Sequence, residues 1–311
     1  MPASKDIYKP TDWKAYNESL CLRGSLTLWL EDSVYREWRD LSTRGISVGE
    51  KHYPDIVILT CLTLKQVYGL KFRQCTGFVR SLFALMGLGK LPIPNYSTLS
   101  RRSGGISVPF APAKSGEPLH IAVDSTGLKV FGEGEWKVRK HGASKRRTWR
   151  KLHLGIDTST QQIVSCILTE NSVDDAEVGK QIAEGLGGQL GDFHGDGAYD
   201  RGKCREAVRN SGGRSVVPPR RDAKKSKGDK PWKKERDKDI ERIEQVGRKE
   251  WKIENGYHRR SLSEVAMYRY KTILGGSLNA RKFESQVTEV KVGAHILNTF
   301  NRCGMPNSVK I

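Results

Sequence analysis

Tyr257, Arg260, Glu264 and Lys271 bring a phenol, two cations and one carboxylate together at offsets of 0, 3, 7 and 14. On one continuous helix, at about 100° per residue, the four fall within an arc of about 60° and share a face. Such a pattern is either a solvated mixed-charge face or a carboxylate held for chemistry, because a core-facing carboxylate costs stability unless a cation compensates it. Two upstream acids favour chemistry. Asp124 directly follows the apolar run Ile121 to Val123, and Asp196 lies between Gly195 and Gly197 after Phe193. Acids from three separated elements are able to converge on a bound cation.

The chemistry that suits this set is phosphodiester cleavage, in which a pair of divalent cations about 4 Å apart stabilises the attacking and leaving oxygens. Mg²⁺ takes oxygen ligands and keeps several waters, so three acids suffice around a substrate phosphate. In that arrangement Asp124 bridges the cations, and Asp196 and Glu264 each complete one side. Asp157, at the end of a strand, competes for these roles, as do Asp174, Asp175, Asp192 and Asp200 near Asp196. Residue type alone leaves Asp196 and Asp200 both open. The glycines beside Asp196 favour it, since they let a backbone or phosphate approach closely.

A chain of 311 residues has room for two domains. Its 54 Lys and Arg against 35 Asp and Glu give a formal charge of +19, a field that favours a polyanion, here nucleic acid. The longest apolar run, Ile56 to Leu64, is far shorter than the ~20 residues of a membrane span. The first residues lack the apolar core of a secretory signal, so a cytoplasmic protein is expected. Six scattered cysteines show no zinc-type spacing and read as reduced packing residues.

The elements that must position these acids are legible in outline. Residues 1 to 25 are polar and read as irregular, and Ser25 to Leu41 as a short strand running into a helix. Helices are expected from Pro54 to about Leu70, from Arg73 to about Leu85, and from Tyr96 to Arg102. Three short helices ending in Arg101 and Arg102 read as a helix-turn-helix-like group able to meet DNA through those arginines. The Gly, Pro and Ser segment 104–116 marks a boundary, giving an N-terminal helical DNA-binding region over 1–112 and a catalytic domain over 113–311. In the second part, strands at 120–124, 150–157 and 162–169 precede alternating helices and strands, a mixed α/β order. Residues 219–251 are too charged to pack alone and read as a basic insertion that orders against a polyanion. Lys137 to Lys151 carries eight Lys or Arg and no acid. Its Lys145, Arg146, Arg147, Trp149 and Arg150 suit a hairpin that tracks a phosphate backbone while an indole stacks a base.

These motifs together resemble a bacterial insertion-sequence transposase of the DDE type, nearest the insertion-sequence-five family. The resemblance is carried by residues 123–129 around Asp124, Lys140 to Gly142, Arg150 to Asp157, Gly195 to Asp200 and the spaced set Tyr257, Arg260, Glu264 and Lys271, and it extends to 97–102. It covers about residues 26 to 300. It implies a ribonuclease-H-like catalytic fold, a mixed sheet flanked by helices, with Asp124 on the first strand, Asp196 just after the fourth and Glu264 on a late helix. It also implies Mg²⁺, with Mn²⁺ able to substitute. The implied activity binds the terminal inverted repeats, hydrolyses the element ends to free a 3′-hydroxyl and joins it to target DNA, with a homodimer forming the synaptic complex. Arg260 and Lys271 would then contact phosphates and Tyr257 would place the strand end. Asn95 departs from the pattern, which usually has Asp at the turn before Tyr96. Another nuclease of the same fold and a DNA-binding regulator with structural acids are the alternatives.

Overall fold

The polar first segment is more ordered than its composition predicts. The structure, a computed structural model, describes residues 8–43, 53–110, 116–130, 148–226 and 228–310. Strand β1 (Tyr8–Pro10) pairs antiparallel with β8 (Ser308–Lys310) at the other end of the chain, a partner no local pattern reveals. Helix α1 (Trp13–Leu22) starts at Asp12, whose carboxylate accepts the Ala15 N–H at 2.9 Å. The strand expected after Ser25 is instead a single tight turn over Leu26–Trp29 leading into α2 (Asp32–Thr43). Tertiary packing decides this: Trp29 is buried, with its ring 5.8 Å from that of Phe300.

The three expected helices follow as α3 (Asp55–Val67), α4 (Phe72–Leu85) and α5 (Tyr96–Arg102). Their apolar faces and α2 enclose Trp38, Ile58, Leu64, Val79, Phe83 and Leu99. Trp38 packs edge-on against Phe83 at 4.6 Å and donates its indole N–H to the Pro92 carbonyl at 2.7 Å. Asn95 caps α5 by accepting the Ser97 N–H at 3.2 Å; Asn caps as well as Asp, so the departure leaves the helix start intact. By compactness the chain divides into Met1–Val108 with His295–Ile311, and Pro109–Ala294.

The second unit is built on a six-stranded mixed sheet. At its centre is β2 (Leu119–Val130), with β3 (Trp149–Asp157) antiparallel to it and β4 (Ile163–Glu170) antiparallel to β3. On the other side β5 (Leu190–His194) runs parallel to β2, and β6 (Arg214–Val216) parallel to β5. The order is β4-β3-β2-β5-β6, and β7 (Ser277–Leu278) pairs in parallel with the far end of β2. Parallel strands require crossovers, supplied by α6 (Asp175–Leu186) and α7 (Gly202–Asn210). These helices close one core with Ile121, Val123, Val178, Ile182, Phe193, Tyr199 and Val208. The side-chain period of two turns Ala122 and Asp124 to the opposite face, where α9 (Ser261–Leu274) and α10 (Phe283–Cys303) follow. A mixed sheet flanked by helices fits the ribonuclease-H-like expectation.

The charged segment before them is helical over Pro231–Glu254, denoted α8, but it is not straight. Gly247, at φ 83° and ψ 157°, breaks it into two arms. Trp251 donates to Asp239 at 3.2 Å and Arg242 to Glu254 at 3.0 Å, both across a separation of 12 residues. On a straight helix that separation is about 18 Å, so the chain folds back on itself at Gly247. Charge holds this segment, together with the buried Ile240 and Trp251. Asp200, whose side chain is fully buried, accepts from Arg205 at 2.8 Å and from two nitrogens of Arg236 at 2.9 and 3.0 Å.

Candidate active site

The sheet register brings the first two acids together. Ala122 of β2 is paired with His194 of β5, so Asp124 and Asp196, each two residues farther on, leave adjacent parallel strands side by side. Strand β2 does not stop at Asp124, as its apolar run suggested, but continues to Val130 because β3 pairs with it as far as Lys129. Asp196 ends its own run: its carboxylate accepts the Ala198 N–H at 2.8 Å and starts the turn Gly197–Tyr199.

The third acid enters from α9. Tyr257 to Arg260 are not on that helix, as the spacing suggested; they form a separate tight turn after Gly256, which takes a left-handed φ of 60° and ends the preceding arm. Arg260 nevertheless reaches both acids. One nitrogen of its guanidinium donates to Asp124 Oδ2 at 3.2 Å and another to Glu264 Oε1. Both Arg260 and Asp124 are largely buried, whereas Glu264 is half exposed.

The electrostatics agree with this convergence. Burial pushes the Asp124 carboxyl up from the usual carboxylate range; the Ser125 N–H and Arg260 pull it down, and the charges of Asp196 and Glu264 push it up again. Tyr257 is raised chiefly by burial, and the three acids add to that against Arg260. Its ring lies 5.9 Å from the Arg260 guanidinium and 4.9 Å from Lys252 Nζ. Lys271 is exposed in the last turn of α9, about 10 Å along the helix from Glu264.

Two family models, each described as a transposase DDE domain, match residues 21–133 and 115–299, and the second spans more than half of the chain. The chain belongs to the DDE transposase family. It is therefore a DNA transposase, of a family that depends on divalent metal ions in general. No solved structure matches it. Among the described residues, no helix is long and apolar enough to cross a membrane.

In this transposase the competing acids are engaged elsewhere. Asp157 closes the β3–β4 turn by accepting from Ser159 and Thr160. Asp174 caps α6, and Asp175 pairs with Lys151 at 3.2 Å. Asp192 pairs with His120 and Arg214, and Asp200 lies in the buried arginine cluster. Nothing in the spacing of Asp200 foretold that role, because its partners come from separate helices. Gly195 has a packing reason of its own: a Cβ there would stand 2.9 Å from the Tyr199 ring, whereas one on Gly197 would meet only Pro218 O at 3.8 Å.

The basic residues named from the sequence separate in the same way. Arg101 is exposed at the end of α5, while Arg102 is drawn inward to Asp55 and to the Tyr53 carbonyl at 3.0 Å. Arg150 donates to Gln286 at 3.2 Å and lies 5.3 Å over the Phe283 ring; Trp149 stacks under Lys129 at 5.7 Å. Lys145, Arg146 and Arg147, with the rest of 131–147, lie outside the described residues.

The donor chemistry is that of a hard divalent cation, since the charges of Asp196 and Glu264 both act on Asp124 and Arg260 offsets them. Among the described residues, however, no three acidic, His or Cys side chains stand close enough to hold a metal ion. Arg260 spans two of the three carboxylates.

Proposed function

We propose that the chain is the transposase of an insertion sequence of the insertion-sequence-five family, acting in the cytoplasm on its own element. In this reading residues 1–112 form the helical DNA-binding region that holds the terminal inverted repeats. Residues 113–311, with the insertion at about 219–251, cut the element ends and join the freed 3′-hydroxyl to target DNA as a homodimer in a synaptic complex. What supports the reading is that Arg260 donates to both Asp124 and Glu264, while the pairing of Ala122 with His194 brings Asp196, just past the end of β5, alongside Asp124.

Asp124, Asp196 and Glu264 would hold Mg²⁺, or Mn²⁺ in its place, which when bound stabilises charge on the attacking and leaving oxygens. The chain's own cations bind and orient the substrate: Arg260 and Lys271 receive phosphates near the cut, Tyr257 places the strand end, and Arg101 and Arg150 add backbone contacts.

The test uses element-end DNA and Mg²⁺. Asp124→Asn, Asp196→Asn and Glu264→Gln should each keep DNA binding, measured without divalent metal, within about twofold and lose strand cleavage by at least about a thousandfold, the scale expected when metal stabilisation worth several kcal/mol is removed. Full cleavage by any one of them removes that residue from the site, and cleavage without joining in the wild type would make the enzyme a nuclease rather than a transposase.

A further inference from the structure

The guanidinium of Arg260 touches two of the three proposed ligand carboxylates, Asp124 Oδ2 at 3.2 Å and Glu264 Oε1. A carboxylate oxygen that accepts a charge-assisted hydrogen bond from arginine has a lone pair committed to it. The arginine and a cation are therefore rivals for the same oxygens. Arg260 is largely buried, its ring neighbour Tyr257 lies 5.9 Å away, and Glu264 is one helical turn farther along. A guanidinium also pairs bidentately with phosphate, and the DNA on which a transposase acts carries a phosphate at every nucleotide.

We infer that Arg260 is a positioning residue that holds Asp124 and Glu264 closed to metal until a DNA phosphate draws it away, so that substrate capture and cation uptake are coupled through one side chain. This rests on the proposed assignment of Asp124, Asp196 and Glu264 as ligands. The coupling is reciprocal by thermodynamic necessity: whatever DNA adds to cation affinity, the cation adds to DNA affinity.

The experiment measures Mn²⁺ binding by calorimetry and by the loss of the free-ion electron paramagnetic resonance signal, on the full chain, with and without a duplex carrying the element end. Without DNA, Arg260→Gln should bind Mn²⁺ about tenfold tighter than the wild type. Arg260→Lys should also tighten binding, since an ammonium keeps the charge but cannot span both carboxylates. Arg259→Gln, which removes an exposed neighbouring charge, should change affinity less than about twofold. With the duplex the wild type should gain affinity and Arg260→Gln should gain little.

Wild-type affinity in Arg260→Lys, with equal tightening in Arg259→Gln and Arg260→Gln, would mean that only net charge matters and would overturn the inference. Mn²⁺ binding abolished by Asp124→Asn but untouched by either Arg260 variant would overturn it while leaving the ligand assignment standing. Wild-type binding that is absent even with the duplex, or unaffected by Asp124→Asn, would overturn both. Thermal unfolding of each variant separates these outcomes from misfolding, and Arg260→Lys supplies the conservative case.

Discussion

Asp196 and Asp200 are four residues apart, and exchanging each for asparagine should produce opposite phenotypes. The Asp200 side chain is fully buried and accepts from Arg205 at 2.8 Å, Arg236 at 2.9 and 3.0 Å and the Arg220 N–H at 3.2 Å. Asp200→Asn keeps one acceptor oxygen but removes the charge that offsets Arg205 and Arg236, leaving the buried Arg205 with the Val217 carbonyl at 2.6 Å and Asp239 at 3.5 Å as its other partners. Breaking a buried pair costs about 3–5 kcal/mol, and the two surviving partners place the expected loss near the lower end, about 3 kcal/mol. Asp196→Asn keeps a side-chain oxygen for the Ala198 N–H and removes one charge from a like-charged group, so stability should change by less than about 0.5 kcal/mol.

Urea unfolding followed by tryptophan fluorescence measures both, because Trp251 donates to Asp239 inside the cluster. The pH dependence provides a second check. Arg236 and Arg205 hold the Asp200 carboxyl below its ordinary value against the opposing effect of burial. Its contribution is therefore present above the unfolded value near 3.8 and is lost as pH falls through the lower folded value. The wild type should lose stability over that acid range and Asp200→Asn should lose less of it. An Asp200→Asn protein as stable as the wild type, or an Asp196→Asn protein destabilised as much as Asp200→Asn, would refute the division between structural and catalytic acids.

His153 is fully buried, and burial lowers its imidazole to about 4 despite Asp175. Because the folded value lies below the ordinary 6.5, stability should fall as pH drops from about 6.5 towards 4, by at most about 3 kcal/mol; His153→Gln should flatten that slope in urea midpoints taken at pH 7 and pH 5. Gly195→Ala and Gly179→Ala should each lower stability by about 1–3 kcal/mol, since the added carbons meet opposite edges of the Tyr199 ring at 2.9 and 2.7 Å. Gly197→Ala, with open space, should stay within about 1 kcal/mol in the same thermal scan. In salt titrations of DNA binding, Arg101→Ala should reduce the slope of log affinity against log salt by about 1, whereas Arg102→Ala, anchored at Asp55, should chiefly lower the unfolding midpoint.

The sequence made legible what depends on short-range periodicity. Leu152, Leu154 and Ile156 alternate and are buried on β3, and the apolar run before Asp124 and the one before Asp196 became paired parallel strands. Three features escaped it for separate reasons. Tyr257 and Arg260 stand on a 3₁₀ turn that runs into the helix carrying Glu264, and side-chain spacing alone does not distinguish that tighter turn from α-helix. The segment 219–251 was read as unable to pack alone because apolar counting misses a core closed by Asp200, Arg205, Arg236 and Asp239. The pairing of β1 with β8 joins the two ends of the chain, where no local pattern carries information.

The fold-back at Gly247 has a consequence beyond its own neighbourhood. With φ 83° and ψ 157° the residue occupies a backbone region open essentially to glycine alone, and the chain leaving this bend runs directly into the turn that presents Arg260. The address of Glu264 is thus written partly in a hinge that contributes no atom to the chemistry. A bulkier residue there would meet backbone strain of about 1–3 kcal/mol, and any loss of activity it caused would reach the proposed site through the bend rather than through a carboxylate.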